Sequence, residues 1–248
     1  MLRPVVTIDP AHMSTLPNDV MRVILNAASA GRGSTANTDE VSLTGKGAFR
    51  AAWGRALLRT YHCTRLLPHE VEMIRNQGLR RLTQALMHDR IEAARQSGVI
   101  TEQEAAQLQQ AHVFATRQHR SRMEQVWLIA GRIVFDNRIE ACIRFLSTWG
   151  GEALYKSKMW PTLDKRISTL GTPSIVVADI DIYGRPDTAT NPDIFEFFVD
   201  LQRQAEHRSA DDVYANVIYK DDVPAKHVVG IWQPGHREYD RHAGLPRT

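Results

Sequence analysis

His62 and Thr64 stand two residues apart in Arg59-Thr60-Tyr61-His62-Cys63-Thr64-Arg65, a run of strand-forming residues closed by Pro68. Side chains alternate along a strand, so the imidazole and the hydroxyl project from one face and Cys63 from the other. Such a face can hydrogen-bond a sugar or act on a phosphodiester. It argues against Cys63 as a thiol nucleophile partnered by His62. A second cluster, Trp149-Gly150-Gly151-Glu152-Ala153-Leu154-Tyr155, sets two aromatic rings and a carboxylate around a glycine pair. Taken alone, His62 reads as a hydrogen-bonded core histidine and Gly150-Gly151 as a helix cap and turn. The two clusters together carry the functional reading.

The elements that must position these residues follow from local pattern. Asn18 to Ala30 has helical spacing, opened by Pro17 and closed by Gly31. Gly31 to Gly47, rich in Gly, Ser, Thr and Asn, reads as a loop, and Phe49 to Leu58 as a short helix. No Walker pattern follows Gly31-Arg32-Gly33-Ser34. After the Thr60–Leu66 strand, Pro68 opens a helix that Gly78 ends in a left-handed cap. Leu82 to Gln96 and a helix from the capping box Thr101-Glu102-Gln103-Glu104 to about Arg120 form an inserted hairpin, about 82–120. Gln125–Ala130 and Arg132–Phe135 are expected strands, and Arg138–Thr148 a helix that delivers the chain to Trp149. Pro161–Leu170 is expected as a helix or loop. Ser174–Ile182 is the clearest strand, Pro192–Arg203 an aromatic-rich helix, and Val213–Tyr219 and His227–Trp232 late strands. The order implies an α+β fold. Residues 1–58 are set apart as an N-terminal extension from a catalytic domain, 59–248.

Composition bounds the rest. With 43% hydrophobic and 24% charged residues the chain is expected to be globular. No long apolar run indicates a membrane span and no signal peptide is apparent, so a cytoplasmic protein with no membrane partner is expected. Cys63 and Cys142 make no disulfide framework and fit reduced thiols. The histidines and cysteines show no metal-ligand spacing, so no metal is expected. A net charge of +3 excludes little; Arg117-Gln118-His119-Arg120-Ser121-Arg122 and Lys156-Ser157-Lys158 are local basic clusters.

His62-Cys63-Thr64, the helix ending Ile74-Arg75-Asn76-Gln77-Gly78-Leu79, Gly150-Gly151-Glu152-Ala153-Leu154-Tyr155 and the long Ser174–Ile182 strand together resemble the ADP-ribosyltransferase fold. The resemblance is to its His-Tyr-Glu branch, that of poly-ADP-ribose polymerases and diphtheria-type toxins, and covers roughly residues 59–80 and 145–232. It implies a split mixed β-sheet core carrying the helical hairpin, NAD as substrate, and cleavage of the nicotinamide–ribose bond. The implied partners are a macromolecular acceptor, protein or nucleic acid, and an inhibitory protein; the implied setting is a toxin or bacterial defence effector. His62 would bond the adenosine ribose. Thr64 and the Cys63 backbone would hold the nicotinamide half. Tyr155, flanked by Trp149, Gly150 and Gly151, would stack on the nicotinamide ring. Arg65 would meet the pyrophosphate.

Two departures stand out: cysteine replaces the middle glycine of the His-Gly-Thr pattern, and Val223-Pro224-Ala225-Lys226-His227-Val228-Val229 holds no acid where the family has its glutamate. An oxocarbenium-like state needs a carboxylate nearby, and Glu152, Asp179, Asp181 and Glu238 are the candidates. Members of the fold without the glutamate, such as RNA 2′-phosphotransferases, use other polar groups. Two other readings remain. His62-Cys63-Thr64 with His119-Arg120-Ser121 or His207-Arg208-Ser209 resembles two-histidine phosphoesterases acting on RNA. Alternatively the hairpin docks a partner and the protein is not an enzyme.

Overall fold

The computed structural model describes residues 5–30, 38–116, 123–132, 134–137, 139–154, 161–185, 187–207 and 213–247. The clearest strand of the sequence lies at the heart of the fold. β4 (Thr172–Ile180) is buried along nearly its whole length, as a β-branched run covered on both faces should be. It pairs antiparallel with all but the first residue of β2 (Leu57–Leu66), setting His62 opposite Val176 and Thr64 opposite Ser174. On its other side β4 pairs with β7 (Val228–Trp232). Beyond β2 come β3 (Val126–Ala130), β6 (Ala215–Tyr219) and β5 (Ala189–Asn191), giving an open sheet ordered β5-β6-β3-β2-β4-β7. Along that path every pairing is antiparallel. A short β1 (Thr7–Ile8) runs parallel to the start of β2.

Alternation assigns the two faces. Leu58 and Leu66 of β2, with Val176 and Ala178 of β4, face α1 (Asn18–Ala30), α2 (Thr38–Trp53), α3 (Pro68–Gln77) and α10 (Ile194–His207). Tyr61 and Cys63 face the other way, with Ile175 and Val177. They meet α7 (Val134–Asn137), α8 (Ile139–Leu146) and the C-terminal Tyr239 and Leu245. A third cluster joins α4 (Gln84–Gln96) and α5 (Glu102–Ala111) to Trp149, Leu154 and α9 (Pro161–Ile167).

Several expectations change. Residues 38–47 are not a loop: they open α2, which runs to Trp53, and Leu57 already begins β2 in place of a helix from Phe49 to Leu58. The reason is burial. Phe49 and Trp53 are fully buried, with ring centroids 5.3 and 5.8 Å from Phe195 and Phe198 respectively. Gly45, which looks like a loop residue, lets α2 approach α10, since a Cβ there would lie 2.7 Å from the Phe195 ring. The described part of residues 1–58 thus shares the sheet's core. Val134–Phe135, expected in a strand, begins α7 after Gly131 turns the chain with φ 95°. The helix opened by the Thr101 capping box stops at Ala111, not near Arg120; α6 (Val113–Thr116) follows, and residues 117–122 lie outside the described set. Among the described residues no helix is long and apolar enough to cross a membrane.

Candidate functional site

The edge of β2 that faces β3 is used in three ways. Its start pairs with β1 at Leu57 and Leu58, and its middle meets β3 at Tyr61 opposite Ile129 alone. Beyond that pair the ladder stops, and a cavity of about 260 Å³ lies between Cys63–Thr64 and Gln125–Leu128. α3, the Gly78–Leu82 connection, α4 and the Gly150-Gly151 turn close its other sides. The sequence builds this opening locally. Pro68 starts α3, and Gly78 ends it at φ 91°, so close to the facing chain that a Cβ would lie 1.9 Å from the Val223 carbonyl oxygen. Leu79 and Val223 then exchange backbone hydrogen bonds of 2.9 Å in each direction, pinning the mouth.

His62 sits where the ladder ends. Its Nδ1 lies 2.8 Å from the Trp127 carbonyl oxygen, so a side chain bridges the strands where the ladder is missing. A carbonyl can only accept, so Nδ1 carries the proton and Nε2 keeps its lone pair as an acceptor. Burial pushes the imidazole pKa down; the bond to Trp127 opposes this and the nearby Arg90 charge adds to it. His62 is therefore a neutral acceptor at physiological pH. Thr64 lines the same cavity, on the same strand face, as the alternation predicts.

A polar assembly stands beside it. Glu70, buried on α3, accepts from the Leu67 amide at 2.7 Å and the Trp149 indole at 2.9 Å through Oε2. Its Oε1 accepts from Arg90 Nε of α4 at 2.5 Å. The Arg90 guanidinium lies 5.3 Å from the Trp149 ring centre. The helix after β2, the inserted hairpin and the turn after α8 are thereby tied at one point.

The residues expected to act are distributed as follows. His62, Cys63, Thr64, Gly150 and Gly151 line the cavity. Trp149 is fully buried behind it as the partner of Glu70. Gly150 and Gly151 have φ of 82° and 53°, and a Cβ on Gly150 would lie 2.3 Å from Leu154, so the pair is also a turn in which close packing reserves the first position for glycine. Arg65 does not line the cavity: it donates to the carbonyls of Leu170 (2.8 Å), Leu146 (3.2 Å) and Gly171 (2.7 Å). Being odd-numbered on β2, it follows Cys63 to the far face. There the Cys63 thiol meets Cys142, and that contact, with burial, pushes its pKa well up. Tyr155 lies outside the described residues, and Glu152 opens the short turn after Gly151 without a described side chain.

The other candidate acids have partners elsewhere. Asp179 binds Arg59 on both oxygens and accepts from Thr7. Asp181 caps a turn by accepting from the Tyr183 and Gly184 amides. Glu238 pairs with Arg132 and Arg241. Among the described lining residues Glu70 is the sole carboxylate. His207 ends α10, away from this cavity, and His119 lies outside the described residues. No cluster of metal-binding side chains occurs among the described residues.

Sequence reasoning missed Glu70, Arg90 and Trp127. Glu70 at the third position after Leu67 is a legible helix-start signal, but its link to Arg90 depends on how the hairpin folds back. The site belongs to a mixed α/β protein whose cavity opens between two strands of a largely antiparallel sheet. No family model, curated protein or solved structure significantly matches the chain.

Proposed function

We propose that the cavity binds NAD and that the protein is an ADP-ribosyltransferase-like enzyme, transferring ADP-ribose to a macromolecular acceptor. The observation that carries this reading is His62, fixed by the Trp127 carbonyl so that Nε2 is left as an acceptor beside the gap between β2 and β3. A neutral imidazole acceptor suits a ribose hydroxyl, and the apolar lining of Met73, Ile74, Leu79, Trp127 and Phe145 suits a flat heterocycle. In the reaction the nicotinamide nitrogen leaves with the electron pair of its bond to the ribose. The acceptor takes its place on the sugar carbon and gives up a proton. Tyr155 is assigned to stacking on the sequence resemblance alone, and Glu152 to charge stabilisation as the candidate acid beside it in sequence.

The two-histidine reading gains no support, because His207 does not line this cavity and His119 lies outside the described residues. The docking reading is weakened by the hairpin itself, whose apolar stripe of Met87, Ile91, Ala94 and Leu108 is already covered by Trp149, Leu154 and α9. Calorimetric titration of NAD into the wild type and His62→Ala tests the proposal: binding is expected in the first and a loss of about tenfold or more in the second. Absence of binding by the wild type would overturn it.

A further inference from the structure

Arg90, which lines the cavity, is only partly satisfied. Of its five N–H donors, only the one on Nε has an acceptor among the described residues, Oε1 of Glu70. Nη2 is buried without a partner, and no acceptor among the described residues reaches Nη1. An arginine that served only to neutralise Glu70 would face the carboxylate side-on with two parallel bonds. Here the Leu67 amide and the Trp149 indole donate to Oε2, and neither Nη of Arg90 bonds the carboxylate. Trp149 supports the guanidinium from its ring face, which fixes its plane.

The charge balance points the same way. Among the described lining residues the charged side chains are Glu70, Arg80 and Arg90, and Arg80 pairs at 3.3 Å with Asp89, which does not line the cavity. A guanidinium that lines the cavity, bonds its one carboxylate neighbour through Nε alone and has Nη donors without an acceptor among the described residues suits an oxyanion.

We infer that Arg90 forms an oxyanion subsite that selects ligands bearing a phosphate or pyrophosphate. The inserted hairpin is then part of the ligand site rather than an appendage. The inference deepens the NAD reading of the same cavity, and its test separates the two. ADP-ribose, nicotinamide riboside and inorganic pyrophosphate are titrated into the full chain, as the wild type and as Arg90→Lys. Lysine keeps a cation beside Glu70 but removes the forked end.

The expected result is that ADP-ribose and pyrophosphate bind the wild type and weaken about 10- to 100-fold in Arg90→Lys, while nicotinamide riboside changes less than about twofold. Pyrophosphate should also displace ADP-ribose from the wild type. That competition needs no variant, so the inference stays testable if Arg90→Lys does not fold. Equal ADP-ribose affinity in both proteins, or no displacement by pyrophosphate, would overturn the subsite and leave the NAD reading standing. Arg90-dependent binding of pyrophosphate with no binding of either nucleotide probe would keep the subsite and remove the NAD reading. Binding of no probe at all would remove both.

Discussion

At the scale of single residues, His62 does two things at once, and both follow from its place at the end of a ladder. It closes the gap between β2 and β3 through the Trp127 carbonyl, and it holds an unprotonated nitrogen in the cavity. Burial keeps its pKa below the ordinary value of about 6.5. In the range between the two values the unfolded chain binds a proton that the folded protein does not. The stabilising effect of His62 is therefore complete above about pH 6.5 and declines as the pH falls through it. Measured as the difference in urea unfolding free energy between the wild type and His62→Gln, the advantage of the wild type should shrink on going from about pH 7.5 to 5. The slope should be no more than about 1.4 kcal/mol per pH unit. A difference that stays constant, or grows, would contradict a neutral imidazole at this site.

At the scale of elements, the cavity depends on where α3 stops. Gly78 takes a conformation that side chains rarely adopt and packs directly on the Val223 carbonyl. Gly78→Ala should cost about 1–3 kcal/mol in unfolding free energy and should weaken NAD binding, because relief of the clash must shift the Leu79–Val223 bridge. Full stability and affinity in that variant would show that the mouth is more adaptable than its packing implies. This element was legible in the sequence, since Pro68 and Gly78 are start and stop signals and the Thr101–Glu104 capping box forms as read. The strand faces were legible too: His62 and Thr64 share the cavity face and Cys63 turns to Cys142. Arg65 could have been assigned to the far face by the same alternation. The Glu70–Arg90–Trp149 assembly could not be read, because its members come from three elements whose meeting depends on the path of the hairpin.

At the scale of the molecule, the N-terminal segment belongs to the body that holds the site. Composition hid this: Gly45, Gly47 and the surrounding small polar residues disfavour a helix, yet burial of Phe49 and Trp53 overrides the local preference. Phe49→Ala should therefore destabilise the whole chain by about 3–5 kcal/mol, seen as one shifted cooperative transition in urea. A small effect confined to an early, separate transition would instead support an independent extension. The mixed α/β sheet itself was foreshadowed by β4, β2 and the late strands, whose β-branched runs leave little choice of element. The order β5-β6-β3-β2-β4-β7 lay beyond local pattern, since it is fixed by long-range pairing.

The central claim is that this cavity cleaves NAD with His62 as a ligand-holding acceptor. It is tested most directly by incubating the full chain with NAD plus cellular RNA and protein, and following release of nicotinamide. The account predicts release by the wild type and a loss of about tenfold or more in His62→Ala. No release by the wild type, or equal release by the variant, would contradict it.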